Sequence, residues 1–360
     1  MRVLIAGGGT GGHLFPGIAL ARETMARDPL NAVLFVGTAQ GLEGRLIPKA
    51  GFPLRLVRAS GIKGLGIRGA ARAMLAIPWG VAQSIGILHE FRPDAVIGVG
   101  GYASGPAVLA AVLLRVPRAV IEPNAIPGIT NRLLGPLVQE VYVAWEETAS
   151  RFPAGKAIVT GNPIRREMIA PGPTKREAGG PVRVLVFGGS QGSRRINQVT
   201  AAALAALGED AKRMAFDHQT GPTDLETVRA AYAARGLRAE VAPFFDDMPV
   251  RYAAADLVIC RAGATTVAEL AAVGKASILI PFPYAADDHQ TANARVLERA
   301  GAARVIAERD LTPQGLAVAI REIAFTEGRA AEMGQRARAA GKPDAAGVIL
   351  DRLARLTGRR

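Results

Sequence analysis

The chain has 360 residues, and its 49% hydrophobic and 21% charged residues exclude a disordered, collagen-like or coiled-coil protein. Its length predicts two domains, and its single cysteine, Cys260, excludes an internal disulfide, which is compatible with the cytoplasm. The net charge of +13 favours an anionic partner. Nucleic acid is not the favoured partner, because only 5% of the residues are aromatic and no nucleic-acid-binding motif occurs.

Short apolar runs alternate with longer helical patterns, which predicts an α/β protein whose parallel sheets carry helices on both faces. Examples of the predicted strands are residues 2–6, 32–36, 95–98, 119–121, 183–187, 257–260 and 277–280. We expect no signal segment before the first strand. The uncharged stretch from Ala95 to Leu114 has the length of a membrane span, but its glycines and Pro106 favour a strand, a loop and a helix.

The first glycine loop, GGGTGGH at residues 7–13, follows the first predicted strand. Its backbone amides and the positive end of the next helix suit a phosphate. Its GxGxxG pattern is commonest in dinucleotide-binding folds. A nicotinamide dinucleotide is disfavoured, however, because no acidic residue ends the second predicted strand, where the ribose would need one.

A basic and apolar segment follows, since the chain has no acidic residue between Gly44 and His89. Such a segment favours the surface of an anionic bilayer, and a solvated basic helix face is an equally weighted alternative. The residues we expect to face a membrane are Ile62, Lys63, Leu65, Arg68, Arg72, Leu75 and Trp79.

The chain repeats itself, because residues 2–11 (RVLIAGGGTG) and 183–192 (RVLVFGGSQG) share six of ten aligned positions. The repeat predicts two doubly wound units, each opening with a strand, a glycine-rich turn and a helix. The second glycine loop, residues 188–192, suits a diphosphate, with a tight turn as the alternative. Together with a third glycine loop at residues 98–106 (GVGGYASGP), it predicts two phosphorylated ligands, one per domain.

A domain boundary is predicted near Asn162 and Pro163, just before a segment rich in proline and glycine at residues 171–181. The helical pattern of residues 344–356 could dock on either domain. In the segment CRAGATTVAEL at residues 260–270, Thr266 and Glu269 have the spacing of a capping box. Alternatively, the Glu269 carboxylate could accept two ribose hydroxyls, although the cap is the simpler interpretation of the sequence alone.

Eight motifs occur in the order typical of the MurG family, the bacterial N-acetylglucosaminyltransferases that complete the lipid-linked disaccharide of peptidoglycan. The motifs are GGGTGGH (7–13), GGYASGP (100–106), EPNAIPGITNR (122–132), GNPIR (161–165), GGSQGSRRIN (188–197), FFDDM (244–248), CRAGATTVAEL (260–270) and HQTANA (289–294). The chain resembles that family over nearly its whole length. The resemblance implies an α/β GT-B glycosyltransferase fold, with two Rossmann-like domains whose parallel sheets face across a deep cleft.

The resemblance also implies which domain binds each substrate. Residues 1–162 would face the acceptor and the membrane, residues 163–340 would bind UDP-N-acetylglucosamine, and residues 341–360 would form a helix docking back on the N-terminal domain. The acceptor would be lipid I, the undecaprenyl-diphosphate-linked N-acetylmuramoyl pentapeptide, and its muramoyl 4-hydroxyl would receive the sugar with inversion to give lipid II. The enzyme would lie on the cytoplasmic face of the inner membrane and need no cofactor and no metal.

Matching motifs carry the family's site onto this sequence. The sugar-donor site would comprise Thr10, Gly11, Gly12, Asn124, Arg165, Ser190, Gln191, Gly192, Phe245, Ala264, Thr265, Thr266, Glu269 and Gln290. The acceptor diphosphate would meet Gly100, Gly101, Tyr102, Ser104 and Asn131. The chain departs from the family at Phe245, commonly isoleucine, where the backbone would read uracil, and at His289, where some members have glutamine.

Two residues are candidates for the base that accepts the proton of the attacking hydroxyl. His13 has a side chain with an ordinary pKa near neutrality, although it could instead bind a phosphate at a helix start. Glu122 ends a predicted strand, where partial burial would raise its pKa. His13 is preferred by a small margin.

Three rival functions remain open at this point. The first is another enzyme on the same scaffold, such as a UDP-N-acetylglucosamine 2-epimerase or a transferase with a soluble acceptor. The second is a peripheral membrane scaffold protein with a regulatory nucleotide site. The third is a nucleic-acid binder, suggested only by the high isoelectric point near 10.6.

Overall fold

The computed structural model describes residues 1–9, 11–39, 41–59, 67–169, 179–189 and 191–358, without the side chains of residues 67–76. The chain forms two compact units. The first unit contains Met1–Arg165 and Pro343–Arg360, and the second contains Arg166–Lys342.

The first unit is built on a parallel sheet. Its strands are β1 (Arg2–Ala6), β2 (Ala32–Gly37), β3 (Leu54–Leu56), β4 (Ala95–Gly98), β5 (Arg118–Glu122), β6 (Glu140–Val143) and β7 (Ala157–Val159). Among the described residues they form one seven-stranded sheet in the order β3-β2-β1-β4-β5-β6-β7. This is the Rossmann order with one strand added at the edge.

Helices cover both faces of this sheet. They are α1 (Gly11–Arg27), α2 (Glu43–Lys49), α3 (Ile67–Phe91), α4 (Ser104–Leu113), α5 (Ile129–Leu134) and α6 (Glu146–Ala149). Along β1, Val3 and Ile5 pack in one hydrophobic cluster, and Leu4 and Ala6 pack in another. Successive side chains of a strand point to opposite faces, so an unbroken apolar run supplies both cores.

The second unit repeats the design. Its strands are β8 (Val182–Phe187), β9 (Met214–Gln219), β10 (Arg238–Ala242), β11 (Leu257–Cys260), β12 (Ala276–Leu279) and β13 (Ala303–Val305). They are parallel and ordered β10-β9-β8-β11-β12-β13, again the Rossmann order. Its helices are α7 (Arg194–Leu207), α8 (Leu225–Ala233), α9 (Met248–Ala254), α10 (Ala264–Val273), α11 (His289–Arg299), α12 (Pro313–Ala324) and α13 (Arg329–Ala340).

The last helix, α14 (Ala345–Leu356), packs on the first unit although it follows the second in sequence. Its apolar face contributes Ile349, Leu350 and Leu353 to the cluster that contains Val3 and Ile5. Ion pairs from Arg27 to Asp351 and from Arg352 to Glu140 join it to α1 and to β6. Burial of the apolar face supplies most of the attachment, since exposed ion pairs contribute little.

Strand register places the glycine loops. In the first unit, Ala6 at the end of β1 pairs with Gly98 at the end of β4, so the first and third glycine loops leave the sheet side by side. In the second unit, Phe187 at the end of β8 pairs with Cys260 of β11 and Gln219 of β9. The loops that follow these strands therefore gather at one edge, where ligands of doubly wound folds bind.

The α/β prediction with two Rossmann-like parallel sheets is confirmed, and each predicted strand lies within two residues of an observed one. Six further strands are not among the examples named from the sequence, namely β3, β6, β7, β9, β10 and β13. They are short or contain charged residues, such as Asp217 in β9 and Glu240 in β10, which hide the apolar pattern. None of the described helices combines the length and the apolar character that crossing a bilayer requires.

Candidate active site

A cavity of about 680 Å³ opens at the carboxyl edge of the second unit's sheet. The second glycine loop lines it with Gly188, Gly189 and Gly192, while Thr266 and Gln290 line it from the starts of α10 and α11. Three residues predicted for the sugar-donor site, Gly192, Thr266 and Gln290, therefore meet at one cavity.

The glycines of the second loop differ in their surroundings. Gly189 has a φ of +97°, and apart from its chain neighbours no described atom lies within 4 Å of the place a Cβ would take. Gly192 has a φ of +75°, and a Cβ there would lie 2.1 Å from the carbonyl oxygen of Thr220. Gly189 therefore presents open backbone to a ligand, whereas Gly192 is required by the close approach of another loop.

Arg261, which follows β11, fixes the wall of the cavity. Its Nη2 donates to the Ser193 hydroxyl at 2.7 Å, and its Nη1 donates to the carbonyl oxygens of Ile280 and Pro281 at 3.2 and 3.1 Å. Glu308 forms an ion pair with the same guanidinium. Arg261 thereby ties the N-terminus of α7 to the segment before α11.

Positive charge also lines the cavity. Arg194 and Arg195, at the start of α7, join Arg261 among its lining residues. Amides at the N-terminus of α7 carry the positive end of the helix dipole, and Ser193 caps that helix by accepting from the Ile196 N–H. The cavity therefore suits a ligand with phosphate groups.

Phe245 is buried and linked to the second glycine loop by the side chain of Gln219. The Phe245 N–H donates to Gln219 Oε1 at 3.0 Å, and Gln219 Nε2 donates to the Gly189 carbonyl oxygen at 3.1 Å. The Arg251 guanidinium stacks 3.6 Å from the centre of the Phe245 ring. The expectation that uracil is read through the backbone of Phe245 stays a prediction, and the N–H of that backbone already has an acceptor in Gln219.

The predicted capping box at Thr266 and Glu269 is wrong. Helix α10 begins at Ala264, with Gly263 as its N-cap in an extended conformation (φ −63°, ψ 146°) and no side-chain cap bond. Thr266 is therefore the third residue of the helix, and Glu269 lies in the second turn. Glu269 is 8% exposed, and the cavity lining includes neither Glu269 nor Ala264 and Thr265, which lie on the same helix.

Gln290 is held by the segment that precedes it. Its Oε1 accepts from the Phe282 N–H at 3.0 Å, and the neighbouring His289 Nδ1 donates to the Ala286 carbonyl oxygen at 2.6 Å. Asp287 and Asp288 both adopt left-handed backbone, with φ of +53° and +51°. Such strain is rare outside glycine and collects at functional sites.

In the first unit, the first and third glycine loops touch through their glycines. The Gly8 N–H donates to the Gly100 carbonyl oxygen at 3.3 Å, and a Cβ at Gly101 would lie 2.0 Å from the Gly8 carbonyl oxygen. Gly100 and Gly101 have φ of +92° and +77°. Sterics alone therefore require glycine at both positions of the third loop.

His13 lies at the junction of these loops. It occupies the first turn of α1, and its imidazole lies beside Gly100, where an added Cβ would be 3.0 Å from Nε2. Gly11 and Gly12 begin the same helix. Arg165 belongs to the first unit and places its guanidinium 6.0 Å from the centre of the Phe15 ring, on the next part of α1.

Two residues predicted to contact the acceptor diphosphate are buried and engaged. Ser104 is fully buried and donates its hydroxyl toward the carbonyl oxygens of Ala6 and Gly100, at 2.7 and 2.8 Å. Asn131, 2% exposed, donates Nδ2 to the Ile121 carbonyl oxygen. We correct both to loop-supporting residues, because neither side chain reaches the surface. Tyr102, in contrast, is 47% exposed.

Glu122, the second candidate base, is enclosed at the end of β5. Its Oε1 accepts from the Asn124 N–H and Nδ2, and its Oε2 accepts from the Gly128 N–H and from Asn131 Nδ2, all within 2.9–3.1 Å. Burial raises the pKa of the carboxyl, although these four donors oppose the shift. Glu122 has no exposed surface and shapes the loop that carries Asn124, so its prediction as a base is corrected.

Part of the predicted set lies outside the described residues, namely Thr10, Ser190, Ile62, Lys63 and Leu65. Arg68, Arg72 and Leu75 belong to α3, but only its backbone is described there. Farther along α3, Trp79 is 65% exposed. Gln191 is exposed beside the cavity.

Sequence reasoning missed three supporting residues, Gln219, Arg261 and Glu43. Gln219 and Arg261 end or follow buried strands, a position that could have suggested a role at the carboxyl edge of the sheet. Glu43 gave no sequence signal. Its side chain accepts from the Gly9 N–H inside the first glycine loop.

Comparisons with known proteins match both units. Residues 3–143 match the glycosyltransferase family 28 N-terminal domain, and residues 183–349 match the glycosyltransferase family 28 C-terminal domain. The fold and these matches define the class of protein: the chain is a glycosyltransferase of the GT-B fold.

A relative from Myxococcus xanthus, named UDP-N-acetylglucosamine–N-acetylmuramyl-(pentapeptide) pyrophosphoryl-undecaprenol N-acetylglucosamine transferase, is 51% identical over 351 residues, covering 98% of this chain and 92% of the relative. The crystal structure of Acinetobacter baumannii MurG superposes with a TM-score of 0.81 at 32% identity, covering 98% and 99% of the two chains. The chain belongs to the MurG family of N-acetylglucosamine transferases, so the predicted enzyme class is confirmed.

A third similarity concerns the fold alone. A putative UDP-N-acetylglucosamine 2-epimerase from Listeria monocytogenes superposes with a TM-score of 0.70 at 14% identity, covering 98% of this chain and 95% of that one. The rival prediction of an epimerase thus shares the scaffold, and the sequence similarity favours the transferase.

Proposed function

We propose that this chain transfers N-acetylglucosamine from UDP-N-acetylglucosamine to the muramoyl 4-hydroxyl of lipid I, inverting the anomeric carbon and forming lipid II for peptidoglycan. The observation that carries the proposal is the cavity of the second unit, where open glycine backbone and arginines surround a space suited to a sugar diphosphate. The names of the family's relatives support the two substrates.

The second unit binds the sugar donor in this proposal. The amides of Gly189 and Gln191 and the Ser190 hydroxyl hold the diphosphate beside Gly192, whose own N–H donates to the Gly189 carbonyl oxygen, and Arg194 adds positive charge. The uracil lies at the loop of Phe245, which Gln219 connects to the second glycine loop.

The sugars of the donor lie along α10 and α11. Glu269, in the second turn of α10, accepts hydrogen bonds from the ribose hydroxyls. Gln290 and the amides at Ala264, Thr265 and Thr266 hold the hydroxyls of N-acetylglucosamine. Gln290 Nε2 is directed by the bond that Oε1 accepts from Phe282.

The first unit binds the acceptor and contains the catalytic base in this proposal. His13 accepts the proton of the muramoyl 4-hydroxyl as its oxygen attacks the anomeric carbon, and the bond from that carbon to the diphosphate oxygen breaks. The electron pair leaves with UDP, whose developing charge meets fixed amides and Arg165. Thr10, Gly11, Gly12 and Asn124 contact the sugar donor, and Gly100, Gly101 and Tyr102 contact the acceptor diphosphate.

The membrane acceptor requires a membrane-facing surface, and α3 supplies it in this proposal. Trp79 and Ile77 on α3 are 65% and 37% exposed, and Leu113 at the end of α4, which packs against α3, is 65% exposed. Aromatic and apolar side chains beside basic residues favour an anionic bilayer surface. We place the enzyme on the cytoplasmic face of the inner membrane.

The experiment is UDP release from UDP-N-acetylglucosamine, measured with and without a lipid I analogue and with mass analysis of the product. Acceptor-dependent release of UDP and a disaccharide product support the proposal. Formation of the manno sugar from the donor alone would identify a 2-epimerase instead. Binding of the nucleotide sugar without UDP release would identify a regulatory scaffold.

A further inference from the structure

A buried carboxylate occupies the first glycine loop. Glu43, the first residue of α2, is fully buried, and its Oε2 accepts from the Gly9 N–H at 3.0 Å. Its Oε1 accepts from the Thr38 N–H at 2.8 Å and from the Thr38 hydroxyl at 2.7 Å. Two backbone amides and a hydroxyl converging on an anion form the kind of site that glycine loops offer to phosphates.

Three glycines make room for this side chain. A Cβ would lie 2.2 Å from Glu43 Oε1 at Gly8, 2.6 Å from its Cγ at Gly37, and 1.9 Å from its Oε2 at Gly41. Real Cβ atoms essentially never approach other atoms so closely. Glycine at these positions is therefore explained by the internal carboxylate, without an external ligand.

The carboxylate is ionised at neutral pH. Burial works against the charge, but the hydrogen bonds from Gly9 and Thr38 outweigh it and lower the pKa of Glu43 below its ordinary value. A charged group held by several donors resists displacement by a second anion, since like charges repel and the donors are already used.

The loop that Glu43 holds also positions the candidate base. The Gly8 N–H bonds to the Gly100 carbonyl oxygen, Gly101 packs on Gly8, and the His13 imidazole lies beside Gly100. A shift of Gly8 and Gly9 would therefore move the residues against which His13 rests. Displacements of about 1 Å can cost about 100-fold in rate.

We propose that Glu43 is a positioning residue for glycosyl transfer, its carboxylate standing in the first glycine loop where a ligand phosphate would otherwise bind. The inference rests on the proposed function, and it deepens it. Residues 7–9 then bind no substrate phosphate, and the acceptor diphosphate is left to the third glycine loop and to the start of α1.

The test begins with Glu43→Ala and with Glu90→Ala as a matched control, because the Glu90 side chain is 68% exposed and pairs only with surface Arg55 among the described residues. We expect Glu43→Ala to lower kcat about 10- to 100-fold. The dissociation constant for UDP should change less than threefold, since the proposed contacts to the uridine and most of those to the diphosphate lie in the second unit. The control should keep wild-type values.

Formate then tests the position of the negative charge. Sodium formate, titrated against sodium chloride at equal ionic strength, should restore at least a third of the lost kcat of Glu43→Ala and leave the wild-type enzyme unchanged. A kcat within threefold of wild type overturns the proposal. A loss that formate does not restore also overturns it, because the residue would then serve folding alone.

Hydrogen exchange of a peptide covering residues 7–13 gives a readout that does not depend on activity. In Glu43→Ala this peptide should exchange at least tenfold faster, and formate should slow it again. If Glu43→Ala does not fold, Glu43→Gln is used in its place, where loss of one acceptor oxygen should also accelerate exchange. Unchanged exchange overturns the inference, whereas a wild-type enzyme without acceptor-dependent UDP release overturns only the proposed function.

Discussion

The two glycine loops that open the two units have similar sequences but differ in what lies beside their glycines. At Gly8 an added Cβ would lie 2.2 Å from the Glu43 carboxylate, whereas at the equivalent Gly189 it would meet no described atom within 4 Å. One loop contains the protein's own anion, and the other opens on a cavity of about 680 Å³.

The difference comes from residues far from the repeated motif. In the first unit, α2 begins five residues after Thr38 and brings a carboxylate back to the loop. In the second unit, the residues around the loop are Arg194, Arg195 and Arg261, and the neighbouring Glu308 is paired with Arg261. A strand, a glycine turn and a helix therefore create space for an anion. Residues elsewhere in the chain determine whether a side-chain carboxylate fills that space or whether it stays open to a ligand.

The largest effect is expected at the first loop, from His13→Ala. Removal of a general base costs about 10²- to 10⁴-fold in kcat, and binding of UDP should remain within a few-fold because its proposed nucleotide contacts lie mainly in the second unit. Steady-state kinetics with a lipid I analogue and calorimetry with UDP separate the two quantities. A kcat near wild type would exclude His13 as the base.

The donor site of the second unit is probed by Glu269→Ala, on α10. Loss of a charged acceptor for two ribose hydroxyls should weaken UDP binding about 10- to 100-fold, measured by calorimetry. Glu269→Gln keeps the shape of the side chain and is the matched control, with a smaller loss. Glu43→Ala should leave UDP affinity unchanged, so equal effects of the two acidic substitutions would erase the contrast between the loops.

A double-mutant cycle tests whether Gly8 and Glu43 exclude each other. Gly8→Ala should destabilise the first unit through overlap with the carboxylate, and combination with Glu43→Ala should recover about 2 kcal/mol relative to the sum of the single changes. Both tryptophans, Trp79 and Trp145, lie in the first unit, so tryptophan fluorescence during urea unfolding reports that unit. If the two substitutions change the free energy of unfolding additively, the Glu43 carboxylate does not pack against Gly8.

Acid should weaken the two units at different pH. His218 in the second unit is fully buried between Tyr232 and Asn197, and burial lowers its pKa to about 3. The unfolded chain binds a proton near pH 6.5 and the folded chain does not, so stability falls as the pH drops below 6.5, by about 1.4 kcal/mol at pH 5.5.

Glu43 has a lowered pKa, so its contribution in the first unit is complete above pH 4.5 and is lost only below it. The free energy of unfolding, measured by circular dichroism, should therefore fall between pH 6.5 and 4.5 in the wild type. It should fall much less in His218→Gln. The tryptophan signal of the first unit should not show that difference. Identical pH dependence in the two proteins would rule out His218 as the cause.

Local sequence predicted what depends on neighbouring residues. Apolar runs gave β1, β4 and β11 with their observed bounds, because a strand buried on both faces must be apolar throughout. The repeat at residues 2–11 and 183–192 gave the two Rossmann-like units. Motifs along the chain gave the family.

Contacts distant in sequence escaped prediction. The capping box failed for a different, local reason: Gly263, in extended backbone, is the N-cap of α10, so Thr266 already lies inside the helix. Glu122 was taken for a base because nothing local shows that Asn131 and Gly128 fold back onto its carboxylate. Nothing near Phe245 in the sequence indicates that Gln219, from the neighbouring strand, accepts from its N–H.

The sequence by itself determined where the most apolar strands and the glycine turns form in this protein, because these follow from periodicity and from the backbone freedom of single residues. Only the tertiary structure decided that Glu43 fills the space beside Gly8 and that the space beside Gly189 stays open. A glycine in the sequence shows only that a side chain is absent. The atoms that fill the space beside it belong to residues that are distant in sequence and are brought there by the fold.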